Sequence, residues 1–256
     1  MYFGNVSIIY YLIIGLLGLM IGKFIAYCNI KFGAEEKITL KGFAKDFKNI
    51  YDKQYITMFA LASIYILLLY KFGIKKNFFQ NLDLIKFLVL SPMLLSAFMV
   101  DLKHRIIPNR LNMLIFEIGI IFVFIYGIDK FAVARDMVLG LVTGAGIFLG
   151  ITFLGGLIAG KEAMGFGDVK FMGAVGLYYG ASLIAEITLL AFLGAFVFCI
   201  GLIIFRFIKK NEDEYLPFGP FLALASMCMM FLDRGTIFVI FMAFCQKLSE
   251  LIFSRK

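Results

Sequence analysis

Apolar runs long enough to cross a lipid bilayer follow one another along nearly the whole chain. A membrane-spanning helix needs about 20 predominantly apolar residues. The predicted spans are 7–29, 56–72, 84–100, 111–128, 136–159, 169–180, 182–207, 217–232 and 236–253. Because the span at 169–180 is short and the span at 217–232 begins at a proline, we expect eight or nine transmembrane helices. The pattern predicts an all-α, polytopic integral membrane protein with a single membrane domain over residues 1–256.

The composition argues against a soluble protein. Hydrophobic residues make up 62% of the 256 residues and charged residues only 16%, whereas soluble domains carry about 25% charged residues. The net charge of +8 would suggest nucleic acid as a partner of a soluble protein. In a membrane protein, lysines and arginines collect in cytoplasmic loops beside anionic lipid. We therefore expect the lipid bilayer, and no nucleic acid, as a partner.

The distribution of basic residues predicts the orientation of the chain. The first apolar run starts almost at once and lacks a basic head, so we interpret it as a retained span. With the N-terminus outside, the inner segments hold more lysines and arginines than the outer loops. This orientation makes residues 30–55 a small cytoplasmic loop and places Asp101, Asp168 and Pro217 on the cytoplasmic side.

The span at 136–159 is rich in glycine. Gly140 and Gly144 are four residues apart, as are Gly146 and Gly150. Small residues at this spacing let the backbones of two helices approach closely. We therefore predict tight helix packing along this span.

No metal site is predicted. The four cysteines, Cys28, Cys199, Cys228 and Cys245, form no CxxC pair, and three lie in apolar runs. Membrane helices carry such cysteines as small hydrophobic residues. The single histidine, His104, has no cluster of thiolates beside it.

Two aspartates stand at the ends of predicted membrane helices. Asp101 directly follows a span in the stretch MVDLKHRIIPNRLN (residues 99–112), and Asp168 begins another span in the stretch GFGDVK (residues 165–170). Carboxylates at membrane depth are costly to ionise and mark a function or a buried pair. Because both are predicted at the inner face, we expect them to meet when the helices pack.

Two close carboxylates suit the chemistry of an aspartic protease. Their repulsion splits the titration, so that the pair holds one proton over a wide pH range. The ionised member takes a proton from water, and the protonated member polarises a peptide carbonyl and later protonates the leaving amine. Gly165 and Gly167 would let the backbone bend and a substrate strand approach. We predict Asp101 and Asp168 as catalytic residues that need no metal.

Three motifs together resemble the type 4 prepilin peptidases, the GxGD class of membrane aspartic proteases. They are Asp101 followed by Lys103 and IIPN (residues 106–109), GFGDVK at 165–170, and LPFGPFLALA at 216–225. The resemblance covers most of residues 85–230 and marks this region as a catalytic core. It implies a catalytic role for the two aspartates. Further candidates for substrate binding or for shaping the site are Gly165, Gly167, Lys103, Pro108, Asn109, Lys170, Pro217, Gly219 and Pro220.

Three of the four prolines stand at predicted inner ends of helices. Proline is tolerated in the first turn of a helix because no needed hydrogen bond is lost there. We predict that residues 217–220 form a wall of the substrate groove, with backbone room at Gly219 and with Phe218 near Asp168.

The resemblance also implies what the protein acts on. Members of that family cleave leader peptides from prepilins and pilin-like secretion subunits at the cytoplasmic face of the plasma (inner) membrane. Prepilin-like proteins are therefore the expected partners, and proteolysis needs no cofactor. Many bacterial relatives carry two CxxC pairs in the first cytoplasmic loop and methylate the new N-terminus, whereas residues 30–55 contain no cysteine. S-adenosylmethionine is expected only if methylation is retained.

Two alternatives belong to other functional classes. An ion- or proton-coupled membrane transporter would carry its cargo on acidic residues near the midplane, which Glu117 and Glu186 suit better than the two aspartates. The structural interpretation of these glutamates is pairing with a neighbouring helix or exposure to water. A non-catalytic membrane scaffold would require neither aspartate. The position of Asp101 and Asp168 at the inner edge favours the peptidase.

Overall fold

Helices account for almost all of the residues that the structure describes. The computed structural model describes residues 2–3, 6–33, 42–44, 54–160, 164–209 and 217–253. Its main helices are α1 (Ile8–Gly33), α2 (Gln54–Phe72), α3 (Leu82–His104), α4 (Asn109–Asp129), α5 (Phe131–Ala159), α6 (Phe166–Lys209), α7 (Gly219–Met229) and α8 (Thr236–Phe253). A 3-10 turn (Phe78–Asn81) precedes α3, and the two-residue strands β1 (Tyr2–Phe3) and β2 (Val6–Ser7) pair antiparallel before α1.

The predicted all-α membrane fold is confirmed, since every predicted span coincides with a helix. Six of the helices in the described part of the chain are long and apolar enough to cross a bilayer. α7 has only 11 residues, which extend about 16 Å against a hydrocarbon core of about 30 Å. The apolar part of α8, Thr236–Lys247, is also shorter than any of these six helices. The predicted count of eight or nine spans is therefore not confirmed.

α6 reverses its direction at Gly180. This residue has φ 78° and ψ 173°, a left-handed φ that favours glycine. Phe192 lines the same cavity as Asp168, whereas a straight helix would separate residues 24 positions apart by about 36 Å. The two halves of α6 therefore lie antiparallel, and the predicted boundary between the spans at 169–180 and 182–207 is confirmed.

Two of the four glycines that we predicted to pack along α5 do so. A Cβ on Gly140 would collide with the carbonyl oxygen of Gly176 in α6, and a Cβ on Gly144 would collide with that of Met172. Around Gly146 and Gly150, a Cβ would meet no atom within 4 Å. Successive helical residues turn by about 100°, so the second pair of glycines faces away from α6. The packing prediction is confirmed for the first pair and wrong for the second.

α3 is the central helix. In the most apolar 18-residue window of α3, 61% is buried, whereas the buried share is 33% or less in the other five long helices. It contacts α1, α2, α4 and α7. Asp83 stands near its start and Asp101 near its end, and the 18 positions between them correspond to about 27 Å. The two ends of α3 thus lie near opposite ends of the bundle.

The predicted polar loop at 30–55 is only partly described. Its first residues, 30–33, continue α1, and residues 42–44 form a helical turn. The ring of Phe43 in this turn lies 5.1 Å from that of Phe24 in α1. The remainder of the segment lies outside the described residues.

Candidate active site

A cavity of about 570 Å³ brings the two predicted aspartates together. Asp101 reaches it from the last turn of α3 and Asp168 from the first turn of α6. The other described lining residues are Arg105, Ile106, Ile107, Ile151, Met164, Gly165, Gly167, Phe192, Pro217, Phe218 and Gly219. The wall is mainly apolar, and the charged residues among those described are the two aspartates and Arg105. We call this site the aspartate cavity.

Asp101 is held at the cavity wall by backbone groups. α3 ends at His104 because Arg105 adopts a left-handed conformation with φ 58°, and the Arg105 N–H donates to the Asp101 carbonyl at 2.8 Å. The residue is 4% exposed, and its carboxylate accepts the N–H of Gly219 at the start of α7. A Cβ on Gly219 would collide with Oδ2 of Asp101 and lie 2.9 Å from its Cγ. The fit between α3 and α7 therefore requires glycine at this position.

Asp168 faces the same cavity from α6. Its N–H donates to the Gly165 carbonyl at 3.0 Å, so residues 165–168 form one tight turn into the helix. Its side chain is half-buried and lies within Coulombic range of Asp101. Among the described residues, neither aspartate forms an ion pair. A Cβ on Gly165 would meet no atom of the described residues within 4 Å, so these residues leave the space beside this turn open.

Five of the predicted site residues, Pro220 among them, lie outside the lining of the aspartate cavity. Lys103 is exposed on the last turn of α3. Pro108 caps α4 with φ −61°, and Asn109 is the first residue of that helix. Both line a neighbouring cavity of about 520 Å³. Lys170 donates to Oδ1 of Asn109 at 3.3 Å. The hydrogen bond between Lys170 and Asn109 thus joins the two aspartate motifs from outside the cavity.

Residues 217–220 border the aspartate cavity in part. Pro217, Phe218 and Gly219 line it, and the Phe218 ring lies 4.9 Å from the ring of Phe192 in α6. Pro220 is buried within α7 and does not line the cavity. The room at Gly219, which we predicted for a substrate, is filled by the carboxylate of Asp101.

Asn112 was missed by the sequence analysis. It is 4% exposed, and its Nδ2 donates to the Gly167 carbonyl at 3.2 Å. Its Oδ1 has no hydrogen-bond partner in the described part of the chain. Asn112 thus supports the GxGD turn from α4. The sequence could have indicated this residue, because it is a polar amide at the start of an apolar span. It also stands three residues after Asn109, on the same face of the helix.

Acidic residues at the other end of the bundle have partners. Asp83 accepts from the hydroxyl of Tyr126 at 2.7 Å and from Nζ of Lys86 at 3.2 Å. Lys86 is 6% exposed, and its Nζ lies 4.7 Å from the centre of the Phe87 ring. Lys71 forms a further ion pair, with Asp233 at 3.4 Å. We call this region the paired end. Its residues are Asp83, Lys86, Tyr126, Lys71, Asp233, Asp136, Arg234 and Glu186.

Asp136 and Glu186 complete the paired end. Asp136 forms an ion pair with Arg234 at 3.4 Å and accepts the N–H of Ala181, next to the reversal in α6, at 3.3 Å. Glu186 is 2% exposed and accepts the N–H of Gly235 at 2.7 Å and the N–H of Ile237 at 3.2 Å. The predicted structural interpretation of Glu186, pairing with a neighbouring helix, is confirmed.

The other predicted transporter residue and the cysteines have structural explanations too. Glu117 is exposed on α4, as that interpretation allowed. All four cysteines are unpaired, with Cys28 buried. Within the described residues, no three His, Cys, Asp or Glu side chains come together as a metal site would require.

Comparison with known proteins places the site in a family. The profile of the type IV leader peptidase family matches residues 88–206, which include both aspartates. The leader peptidase HopD of Escherichia coli is 32% identical over 131 residues, which are 50% of this chain and 80% of that protein. Solved structures include no significant match.

Longer relatives match the same part of the chain. The prepilin leader peptidase/N-methyltransferase of Aeromonas hydrophila is 32% identical over 139 residues, covering 54% of this chain and 46% of that protein. The corresponding protein of Aeromonas salmonicida is 30% identical over 138 residues, with the same coverage of 54% and 46%. The match thus spans about half the length of these relatives. Together with the profile and HopD, it shows that the chain belongs to the type IV leader peptidase family.

Proposed function

We propose that the chain is a membrane-embedded aspartic endopeptidase that removes leader peptides from prepilin-like proteins. The observation that carries the proposal is the pair of aspartates, Asp101 and Asp168, on the wall of one cavity. Among the described residues neither has an ion-pair partner that would hold it as a structural charge. Membership of the leader peptidase family supports the same reaction.

The arrangement suits hydrolysis with one shared proton. The ionised carboxylate takes a proton from water as the water oxygen bonds to the peptide carbonyl carbon, while the protonated carboxyl hydrogen-bonds to the carbonyl oxygen. The proton of the protonated carboxyl then passes to the amine nitrogen as the C–N bond breaks. The pair holds one proton before and after the reaction, so the step is complete with water and two carboxylates.

The position of the aspartate cavity fits a cut beside the hydrophobic helix of a substrate. Asp101 and Asp168 lie at helix ends, and therefore near one edge of the bilayer, while apolar residues such as Ile151 and Phe192 complete the wall. A substrate helix in lipid would bring its adjoining extended segment to this edge. With the N-terminus outside, as the basic residues favour, the cavity faces the cytoplasmic side of the plasma membrane.

Co-expression with a prepilin-like protein tests the proposal. We expect the unchanged chain to convert the precursor to the mature product, and Asp101→Asn and Asp168→Asn to leave it unprocessed, because Asn keeps the size of Asp but cannot cycle a proton. Glu117→Gln, on the exposed face of α4, is the control and should process normally. Immunoblots establish equal amounts in the membrane. Normal processing by either Asp variant would refute the pair.

Purified protein in detergent tests the chemistry. With a leader-peptide substrate, we expect activity to fall at low pH, where both carboxyls are protonated, and at high pH, where both are ionised. A chelator should leave the rate unchanged. Loss of activity on chelation, with recovery when zinc is added, would instead indicate a metalloprotease.

Methylation of the new N-terminus is a separate activity, with S-adenosylmethionine as the methyl donor. The names of the Aeromonas relatives include it, and the name of HopD does not. We propose leader-peptide removal as the function of this chain, whose residues 30–55 contain no cysteine. Mass spectrometry of the processed product, made with S-adenosylmethionine present, checks this: an added methyl group would extend the proposal to a second activity.

A further inference from the structure

Among the described residues, one backbone N–H in the first turn of α7 forms no hydrogen bond within the helix. The N–H groups of Phe221 and Leu222 donate to the Phe218 carbonyl at 3.0 Å and 3.3 Å. Pro220, the second residue of the helix, has no N–H. The N–H of Gly219 is therefore the one donor that the start of this helix directs outward. The arrangement follows from the sequence PFGP, in which Gly219 is followed by a proline without an N–H.

That donor binds one of the two aspartates. The N–H of Gly219 donates to the carboxylate of Asp101. The carboxylate of Asp168 accepts no hydrogen bond from a backbone N–H of the described residues. A hydrogen bond from a backbone N–H favours the ionised form of a carboxyl group. The two aspartates thus share a cavity but differ in their surroundings.

Within the described residues, no charged side chain forms an ion pair with either aspartate. α7 carries no charged side chain. Arg105 lines the cavity, and within the described residues it forms no ion pair with either aspartate. At the same end of the bundle, Lys31 of α1 and Arg110 of α4 do not line the cavity, nor do Lys103 and His104 on α3 itself. Among the described residues, the N–H of Gly219 is the hydrogen-bond donor that the carboxylate of Asp101 has and that of Asp168 lacks.

We propose that Asp101 is the ionised member of the pair and Asp168 the proton carrier, with Gly219 as the positioning residue that sets this order. The inference rests on the proposed peptidase function. Asp101 takes a proton from water as the water oxygen bonds to the carbonyl carbon. Asp168 gives its proton to the amine nitrogen as the C–N bond breaks. The proton on Asp101 then passes to Asp168, which restores the starting state.

Infrared titration of single-carboxyl variants tests the order directly. Asp168→Asn leaves Asp101 alone in the cavity, and Asp101→Asn leaves Asp168 alone. The double variant supplies the background spectrum at each pH. We expect Asp101 to lose its proton at a pH about one unit lower than Asp168, the size expected for one hydrogen bond to a charged group. Equal titrations, or the reverse order, would overturn the inference. Because no cleavage is measured, this result is independent of the proposed function.

Gly219→Ala tests the positioning role in the active protein. Its Cβ displaces the Asp101 carboxylate, so we expect a lower kcat with little change in KM, and an acidic limb of the pH–rate profile moved upward by about one unit. The basic limb, governed by Asp168, should stay in place. Gly146→Ala, whose Cβ meets no atom within 4 Å, should match the unchanged chain in both limbs.

The outcomes separate the two proposals. If the unchanged chain cleaves its substrate and Gly219→Ala keeps both limbs, Gly219 does not set the order although the peptidase stands. If the unchanged chain cleaves nothing, the proposed function fails while the infrared order still reports on the two carboxyls. If Gly219→Ala does not fold, the infrared comparison decides, since it leaves Gly219 in place.

Discussion

The two ends of α3 place acidic residues in contrasting surroundings. Near its start, Asp83 is bonded to Lys86 and to Tyr126. Near its end, Asp101 accepts one backbone N–H and faces Asp168 across an open cavity. α3 thus carries an ion-paired carboxylate at the paired end. In the aspartate cavity it carries a carboxylate that has no ion-pair partner among the described residues.

This difference separates stability from activity. A carboxylate that is bonded to cations and N–H groups contributes to the fold and is less available to a substrate. A carboxylate without such partners is costly at membrane depth and remains available for proton transfer. We therefore expect substitutions at the paired end to lower the free energy of unfolding, and Asp168→Asn in the aspartate cavity to affect cleavage alone.

The largest loss of stability is expected for Glu186→Ala. This change leaves the half-buried N–H of Gly235 and the buried N–H of Ile237 without an acceptor, at a cost of about 2–4 kcal/mol. Glu186→Gln, which keeps one acceptor oxygen, should lose clearly less. Thermal unfolding in detergent measures both. Equal unfolding temperatures for Glu186→Ala and the unchanged chain would mean that the paired end does not stabilise the fold.

A smaller loss is expected for Asp136→Ala, about 1–2 kcal/mol. The side chain of Arg234 is 65% exposed, and ion pairs of this kind contribute little. Most of the loss should come from the unpaired N–H of Ala181. The same unfolding assay on Arg234→Ala separates the two contributions. If Arg234→Ala is as destabilising as Asp136→Ala, the ion pair matters more than the backbone contact.

Tyr126→Phe should cost about 1 kcal/mol, the usual contribution of one hydrogen bond. It removes the hydroxyl that donates to Asp83 at 2.7 Å and keeps the aromatic ring. Cleavage per folded molecule should be unchanged, because Tyr126 lies at the far end of the bundle. A selective loss of cleavage in a fully folded variant would show that the two ends are coupled.

The smallest effect on stability is expected for Asp168→Asn. Since its carboxylate has no ion-pair partner among the described residues, the unfolding free energy should change by less than about 0.5 kcal/mol. Cleavage by the same sample should be lost. A destabilisation as large as that of Glu186→Ala would show that Asp168 is a structural residue and would remove the contrast between the ends.

Local patterns predicted the helices and the reversal in α6 well. Long apolar runs leave few alternatives to a helix in lipid, and the boundary between two predicted spans fell at Gly180. The number of crossings was harder to predict, because the apolar run around α7 continues beyond the 11 residues that form the helix. Apolar composition alone does not show where a helix stops.

Contacts between distant residues could not be predicted in the same way. Asp136 and Arg234 are 98 positions apart, and nothing local to either one identifies its partner. The packing of Gly140 but not Gly146 depends on which face of α5 meets α6, and a spacing of four residues is the same for both pairs. The meeting of Asp101 and Asp168 was predictable because both stood at helix ends on the same expected side.

The reversal at Gly180 also bears on how the chain is inserted during synthesis. Residues 166–203 form one apolar stretch of 38 residues, about twice what one crossing needs. Because the turn carries no charged residue, we expect its two halves to enter the bilayer together as a helical hairpin. Backbone groups at the turn need an acceptor inside the membrane, and Asp136 of α5 accepts the N–H of Ala181. Because α5 is synthesised before α6, this acceptor is already present when the hairpin arrives.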